Sequence, residues 1–308
     1  MFGVCGFRFI FACMSRLSVF SIVVVDFVVR PLQDIPVSSS TYRFTKQLLA
    51  NALPEDSVVR ALLIRQSRVS EKPLKVSFLL SGGSYVWSPD SGHVVLGNGV
   101  DYGFRAVFVD SELNSGRLGF RVEAGSVIDE LLGVRGVFTV YGAFKVSVEP
   151  VGASVINSGE LGVGLVGSDY VKVSFQTPTL LQYPMHPRLG VRESVHALYP
   201  HPVLLMLSLL RRWNTYERFD KIGLSHAIYA PYELREVNHS IRPVTISVGK
   251  TRTRGFIGWL ILKPVSRSET RLRNYMRLLD MANYLGVGRS TSIGLGAVKV
   301  MPIRLGNA

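Results

Sequence analysis

Residues 268–303 read SETRLRNYMRLLDMANYLGVGRSTSIGLGAVKVMPI, and this stretch contains a helix pattern, a glycine-rich loop and a strand pattern in succession. The helix pattern stops at Gly286, which stands in a C-cap position. Gly288, Gly294 and Gly296 follow, so that four glycines fall within eleven positions. Glycine permits positive φ and lets a ligand or a neighbouring backbone approach exposed amide groups. The loop therefore predicts close approach, either of a ligand or of the protein's own packed chain.

Three earlier patterns complete a structural unit in the second half of the chain. They are a strand at the start of DYVKVSFQTPTLL (169–181), an amphipathic helix in HPVLLMLSLLRRWNTY (201–216), and two strands joined by a basic turn in RPVTISVGKTRTRGFIGWLILKP (242–264). With residues 268–303 the order is strand, helix, strand, strand, helix, strand. This is the order of a ferredoxin-like domain.

The first half of the chain has a similar order. Its strand patterns are a first strand at about 17–30, then LKVSFLL (74–80), FRAVFVD (104–110) and GVFTVYGAFKVSVEPV (136–151). A helix is predicted in SSTYRFTKQLLANAL (39–53), where Ser or Thr can cap the start and Phe44, Leu48 and Leu49 share one face. A weaker helix pattern lies in GSVIDELL (125–132).

A polar, glycine-containing stretch from about 151 to 169 separates the two halves. We therefore predict an α+β fold with two tandem ferredoxin-like (RRM-like) domains, each an antiparallel sheet with helices on one face. The first domain is expected at residues 14–153 and the second at residues 154–308.

The charge of the chain is concentrated in its second half. Lysine and arginine outnumber acids by 35 to 22, which gives a formal charge of +13. Residues 14–153 contribute only +1, whereas residues 154–308 contribute +11, and Arg242–Arg304 contains 12 basic residues and two acids. Such a balance favours a polyanionic partner or an anionic membrane surface, and it predicts an anion-binding face in the second domain.

The amino terminus is apolar enough to suggest a signal peptide or a membrane span over residues 1–29. Two arginines and Asp26 interrupt it, and a charge inside a membrane span is costly. We instead expect translation to begin at Met14, which would leave residues 1–13 as an extension and the following apolar segment as a buried first strand. A basic protein attached to a membrane by residues 1–29 is the competing interpretation.

Cysteine and histidine patterns do not indicate a metal site. Only Cys5 and Cys13 occur, so no disulfide framework or cysteine-based zinc module is predicted, and a reducing cytoplasm is the simplest location. His186, His196 and His201 are spaced by ten and five residues with no acidic or cysteine partner nearby, which disfavours zinc.

Two nucleotide-binding motifs also fail to explain the glycine-rich loop. A dinucleotide fingerprint follows a strand and opens a helix, whereas this loop follows a helix and opens a strand. GRST (288–291) is similar to the end of a phosphate-binding NTPase loop, but it lacks the lysine and the following helix. ATP use is not expected, and we predict no cofactor.

The pattern of a helix followed by LGVGRSTSIGLGAVKV (285–300) resembles the glycine-rich signature of the CRISPR-associated repeat-RNA endoribonucleases of the repeat-associated mysterious protein (RAMP) superfamily. VKVSFQTPTLL looks like the family's strand-plus-TP element, and GFIGWLILKP looks like its strand ahead of the last helix. GAFKVSVEPV resembles the strand that closes its first domain. The resemblance spans most of residues 14–303.

This resemblance implies metal-independent cleavage of the CRISPR precursor transcript within each repeat. Similar enzymes use the 2′-hydroxyl beside the scissile phosphate as the nucleophile and leave a 2′,3′-cyclic phosphate and a 5′-hydroxyl. The chemistry requires a group that takes the hydroxyl proton, a group that protonates the leaving oxygen, and cations for the developing charge.

The chain departs from the catalytic pattern of many family members, which carry a tyrosine in the first helix and a histidine after it. Ala50 stands at the tyrosine position, and Ile64 or Arg65 stands at the histidine position. Similar proteins without the histidine are expected to use clustered basic residues. The candidate catalytic residues here are Arg43, Lys46, Arg65, Lys72 and Lys75.

The candidate RNA-binding residues lie in the second domain. Lys250, Arg252 and Arg254 are expected on a hairpin turn, with Phe256 and Trp259 beyond it as a stacking surface. A solvated hairpin tip is the alternative interpretation. In the loop, Arg289 and the hydroxyls of the next three residues are expected to hold a phosphate together with the four glycines; the full set is Gly286, Gly288, Arg289, Ser290, Thr291, Ser292, Gly294 and Gly296.

The expected partner is CRISPR repeat RNA. The absence of the family histidine leaves open a catalytically inactive RAMP protein that only binds repeat RNA, or a subunit of a CRISPR interference complex. A homodimer is also left open.

Overall fold

The computed structural model of the chain describes residues 20–37, 40–64, 71–89, 92–114, 122–184, 195–248 and 251–305. Its helices are α1 (Tyr42–Ala52), α2 (Val58–Ile64), α3 (Ala124–Leu132), α4 (Pro202–Tyr216), α5 (Ser225–Glu233) and α6 (Glu269–Leu285). Its strands are β1 (Phe20–Pro31), β2 (Ile35–Val37), β3 (Leu74–Val76), β4 (Leu80–Ser81), β5 (Ser84–Tyr85), β6 (Val94–Leu96), β7 (Tyr102–Ser111), β8 (Gly136–Val140), β9 (Phe144–Asn157), β10 (Tyr170–Thr179), β11 (Leu181–Gln182), β12 (His196–Ala197), β13 (Leu234–Val248), β14 (Thr251–Pro264) and β15 (Val298–Ile303).

The amino-terminal sheet is built around β1, which pairs in antiparallel fashion with β7 on one side and β9 on the other. β3 adds to the far edge of β7, and β8 adds to β9. Val23, Val25 and Phe27 of β1 are buried in one cluster with Phe44 and Leu48 of α1. Because α1 and α3 supply this cluster, the helices lie on one face of the sheet.

The carboxy-terminal sheet repeats this arrangement with the order β13-β14-β10-β15, and every neighbouring pair in it is antiparallel. The apolar stripes of α4 and α6 pack against it in a second cluster. That cluster also contains residues of β1 and β7, including Phe20, whose ring meets the ring of Trp213 edge to face at 5.2 Å. The two sheets therefore share one core through α4 and α6.

The structure confirms the predicted α+β fold with two ferredoxin-like sheets. Two local predictions need correction. LKVSFLL is broken between β3 and β4, because Phe78 leaves the sheet to become fully buried. α1 begins without a side-chain cap, since the Thr41 hydroxyl donates to the carbonyl of Val86 and accepts from the amide of Leu79.

The predicted domain boundary falls inside β9, which stays paired with β1 as far as Asn157. The division between residues 153 and 154 therefore stays a prediction. The expected extension at residues 1–13 lies outside the described residues. In the portion of the chain that the structure describes, no helix combines the length and the apolar character needed to cross a membrane.

Candidate nucleic-acid interface between the two domains

The glycine-rich loop packs tightly against the protein's own chain. A Cβ built on Gly288, whose φ is 79°, would lie 2.4 Å from the carbonyl oxygen of Leu180. A Cβ on Gly294, whose φ is 83°, would lie 2.4 Å from a ring carbon of Phe78 in the amino-terminal domain. Gly286 and Gly296 are also buried. The glycines thus explain how the loop reaches both domains, and a contact between these four residues and RNA stays a prediction.

The tip of the loop faces outward. Arg289 and Ser290 are exposed, Ser292 is half-buried and Thr291 is buried. The backbone forms a 3₁₀ turn over Thr291–Ile293, and Ser290 precedes it with a φ of 61°. The amide of Arg289 donates to the carbonyl of Leu180 at 2.9 Å, which fixes the point where the tip begins.

Arg212 holds the loop from beneath. It lies on α4 and is only 1 % exposed. Its guanidinium donates to the carbonyl oxygens of Leu285, Gly286 and Gly288, the first at 3.1 Å and the last at 2.8 Å. The hydroxyl of Ser208, one turn earlier on α4, accepts from the amide of Gly288 at 2.8 Å. The base of the loop is therefore anchored to α4.

Glu71 and Lys75 extend this anchor into the amino-terminal domain. Glu71 accepts two hydrogen bonds from Arg212, and its carboxylate lies 3.7 Å from the Lys75 ammonium. Lys75 is 4 % exposed and donates at 3.0 Å to both the carbonyl of Leu285 and the hydroxyl of Thr291. Burial, and then the charge of Arg212, lower the pKa of Lys75 to about 7. Burial alone would raise the pKa of Glu71, but Arg212 and Lys75 outweigh it and hold that pKa below its usual value.

A cavity of about 480 Å³ opens above this buried ion cluster, between the two domains. Three cationic side chains line it, Lys72, Arg211 and Arg289, together with the loop tip from Ser290 to Ser292. Glu71 is the acidic residue in the lining, and Arg212 already engages both of its oxygens. Apart from Glu71, the ionisable side chains of the lining are thus cationic, and hydroxyl groups stand beside them, which suits a phosphate.

The predicted catalytic cluster is brought together only in part. Lys46 on α1 is half-buried, and burial together with the nearby charge of Lys72 lowers its pKa. Arg43 is exposed and lies near Tyr141 in the turn between β8 and β9, since its charge acts on the pKa of that phenol. Lys75 is buried in the ion cluster below the loop, and Arg65 lies outside the described residues. Lys72 therefore lines the cavity, and Lys46 lies near Lys72 without lining the cavity itself.

The basic hairpin is formed by β13 and β14. Arg252 lies opposite Ser247, Arg254 lies opposite Thr245, and both arginines are exposed. Lys250 lies outside the described residues. Phe256 is a correction to the expected stacking surface: it is fully buried, and its ring packs on that of Phe175 at 5.0 Å.

Sequence reasoning missed Arg212, Glu71 and His196. The burial of Arg212 could have been predicted from the sequence, because this residue lies on the apolar stripe of α4 between Leu209 and Tyr216. No local pattern indicates the role of Glu71, since its partner Arg212 is 141 residues away in the sequence. His196, considered only as a metal ligand, lies beside the loop: burial and then the charge of Arg289 lower its pKa. Across the described ranges, no three His, Cys, Asp or Glu side chains are grouped as a metal site requires.

Two family models match the chain and together cover more than half of it. The model described as CRISPR-associated endoribonuclease Cas6 matches residues 173–298, and the model described as Cas6 N-terminal domain matches residues 23–153. The glycine-rich loop, the basic hairpin and Arg211 of α4 lie within the first match. Arg43 and Lys46 of α1, together with Lys72, lie within the second match.

Curated relatives and solved structures agree with these matches. CRISPR-associated endoribonuclease Cas6 2 of Saccharolobus solfataricus is 25% identical over 293 residues, which are 90% of this chain and 94% of that protein. Cas6 1 of the same organism is 25% identical over 292 residues, which are 90% of this chain and 95% of that protein. A Cas6 product complex has a TM-score of 0.60 at 17% identity, covering 92% of this chain and 100% of its own. Thermus thermophilus Cas6 has a TM-score of 0.57 at 17% identity, covering 93% of this chain and 100% of its own. The structural likenesses show a shared fold.

Proposed function

The chain belongs to the CRISPR-associated endoribonuclease Cas6 family, and from that premise we propose that it cleaves CRISPR repeat RNA in precursor transcripts to make guide RNAs. Cleavage proceeds without a metal ion, by attack of the 2′-hydroxyl on the adjacent phosphate. It leaves a 2′,3′-cyclic phosphate on one fragment and a 5′-hydroxyl on the other. The observation that carries this proposal is the cationic, hydroxyl-lined cavity between Lys72 and the tip of the glycine-rich loop.

The residues that line the cavity and the nearby Lys46 divide the chemical roles as follows. Arg289 and the hydroxyls of Ser290 and Ser292 bind the scissile phosphate and hold it in line with the 2′-hydroxyl. The lowered pKa of Lys46 increases the fraction of neutral amine that can take the 2′-hydroxyl proton. As the 2′-oxygen bonds to phosphorus and the bond to the 5′-oxygen breaks, the ammonium of Lys72 stabilises the phosphorane and protonates the leaving oxygen.

The buried ion cluster supports this site without contacting the substrate. Arg212 fixes the base of the loop, and Glu71 precedes Lys72 directly in the chain. The Arg212–Glu71 ion pair therefore sets the distance between the phosphate-binding tip and the lysine pair. Geometry of this kind suits an enzyme that relies on positioning and electrostatics in place of a histidine.

The direct test is to incubate the protein with end-labelled repeat RNA in EDTA, beside the same RNA with a 2′-deoxy sugar at each candidate cut site. A single cut that survives EDTA and is lost with one deoxy substitution is expected. A cut that needs a divalent ion would contradict the metal-free route. RNA that is neither bound nor cut would reject the function.

A second candidate is favoured by the position of the family histidine, which falls at Ile64 or Arg65; Ile64 is 56% exposed. Isoleucine has no ionisable group and arginine stays protonated, so neither residue can exchange a proton as histidine does. On this reading the protein binds repeat RNA without cutting it, alone, as a homodimer or as a subunit of an interference complex. Tight binding in the same assay with no cleavage in any condition would support this reading.

A further inference from the structure

The carboxy-terminal sheet has a second face, opposite α4 and α6. The buried residues Val171, Val173 and Phe175 of β10 point to the helices, so their neighbours Lys172 and Ser174 point the other way. The strand register shows which residues of the neighbouring strands lie beside these on the same face, and they form two rows across the sheet. One row is Ser240, Trp259, Ser174 and Lys299, and the other is Asn238, Ile261, Lys172 and Met301. We name it the open sheet face; its side chains are all exposed or half-buried.

Aromatic rings and cations share the open sheet face. The ammonium of Lys172 lies 5.2 Å from the ring centroid of Trp259, and that of Lys263 lies 5.8 Å from the ring centroid of Tyr170. Lys299 is exposed at the far strand. None of the described positions that the register assigns to the two rows is acidic. A surface with this composition is complementary to a polyanion that also carries flat rings.

The open sheet face is continuous with the loop region. β14 passes close to the loop at Gly255: a Cβ on Gly255 would lie 2.5 Å from the carbonyl oxygen of Thr179, and the carbonyl of the next residue, Leu180, accepts the amide of Arg289. From Gly255 the strand runs to Lys263, a distance of about 26 Å at the rise of an extended chain. A strand of RNA leaving the loop therefore meets Trp259 midway along β14.

We propose that the open sheet face binds a single-stranded segment of the RNA, separate from the phosphate held at the loop tip. One base stacks on Trp259, and Lys172, Lys263 and Lys299 contact the phosphates on either side. The inference rests on the proposed RNA substrate, but it does not depend on cleavage. It assigns to the second domain a surface that retains transcript flanking the cut.

The first test uses oligouridine as a single-stranded probe. In a Trp87→Phe variant, Trp259 is the partly exposed tryptophan, because Trp213 is fully buried. Oligouridine is expected to quench its fluorescence. Trp259→Ala should weaken oligouridine binding about tenfold. Replacing Lys172, Lys263 and Lys299 by Gln should lower the slope of log affinity against log salt by about 2.

A matched control replaces the exposed residues Arg135, Arg218 and Lys221 by Gln, which removes the same charge elsewhere. Equal slopes of log affinity against log salt in the two triple variants, or no quenching of Trp259 fluorescence, would overturn the proposal. The open sheet face would then be a candidate surface for a protein partner. The lysine triple variant should still cut a minimal repeat RNA at the normal rate. If neither the wild type nor any variant cuts RNA while oligouridine still quenches Trp259, the proposed cleavage is wrong, but the proposed RNA binding by the open sheet face is supported.

Discussion

The guanidinium of Arg212 donates to both carboxylate oxygens of Glu71, at 3.1 and 3.2 Å, and so joins the carboxy-terminal helix α4 to the amino-terminal domain. The same guanidinium satisfies three backbone carbonyls at the base of the glycine-rich loop. Replacing Arg212 by Ala leaves a largely buried carboxylate without its main partner. We expect the free energy of unfolding to fall by about 3–5 kcal/mol, measured by urea denaturation.

The neighbouring Arg211 supplies the control for this loss. It is exposed and lines the cavity, so Arg211→Ala should change the free energy of unfolding by no more than about 0.5 kcal/mol. Equal stability of the two variants would show that the Arg212–Glu71 pair does not hold the domains together.

Lys75 gives the protein a distinct dependence of stability on pH. The pKa of Lys75 is about 7 in the folded state, whereas the ordinary pKa of a lysine, as in the unfolded chain, is 10.5. Between these values the unfolded chain binds one more proton than the folded chain, so the free energy of unfolding rises with pH across that window. Below pH 7 both states hold the proton and this contribution is constant. Lys75→Met should lose the rise, measured by urea denaturation from about pH 6 to about pH 10.

Lys145→Met is the matched control for this pH profile, because it removes an exposed lysine and retains Lys75. Its profile should keep the wild-type rise. A constant difference between wild type and Lys75→Met at every pH would mean that Lys75 titrates alike in the folded and unfolded chains.

Gly288 tests whether the loop depends on close backbone packing. Gly288→Ala introduces a left-handed alanine and also a contact of 2.4 Å with the Leu180 carbonyl. Gly167→Ala introduces only the left-handed alanine, since the φ of Gly167 is 75° and nothing lies within 4 Å of the new Cβ. Gly167→Ala should cost about 1–2 kcal/mol, and Gly288→Ala about 1–3 kcal/mol more.

The measurement for this pair is thermal or urea unfolding, followed by a cleavage assay on the variants that fold. Only Gly288→Ala should also slow cleavage, because a shift of Leu180 moves Arg289. Equal losses of stability in the two variants would contradict the tight packing of the loop against Leu180, directly after β10.

Local sequence patterns predicted the helices and strands of this fold, but they did not predict the contacts between the amino-terminal and carboxy-terminal domains. The apolar spacing of Phe44, Leu48 and Leu49 predicts α1, because a helix repeats every 3.6 residues and all three side chains become buried. The alternation in β10 likewise predicts a strand. Phe78 breaks a predicted strand to pack beneath Gly294, a contact that no local pattern encodes.

The same limit applies to the site. Composition and the glycine spacing indicated the loop and the lysines, but the tertiary packing of the chain decides which of the lysines lie close together. Lys46 and Lys72 approach each other, whereas Lys75, three residues beyond Lys72, turns into the buried cluster. Successive residues of an extended segment point to opposite sides, so a basic run in sequence is not a cluster in space.

The basic hairpin is expected to contribute to affinity and not to the chemical step. Changing Lys250, Arg252 and Arg254 together to Ala should weaken binding of repeat RNA and lower the slope of log affinity against log salt by about 2. The measurement is a filter-binding titration at several salt concentrations. Single-turnover cleavage at saturating protein should be nearly unchanged, and a wild-type salt slope would remove the hairpin from the RNA-binding surface.

Lys46 and Lys72 are expected to act in the chemical step. Lys46→Ala or Lys72→Ala should lower the single-turnover cleavage rate at saturating protein by about 10²–10³-fold, since each removes a group that acts on charge or protons in the transition state. Affinity for repeat RNA should remain nearly intact, because phosphate contacts from the loop and the hairpin persist. Lys145→Ala, an exposed lysine on β9, is the control and should cut normally. Normal rates in both Lys46→Ala and Lys72→Ala would place the active site outside the cavity between the domains.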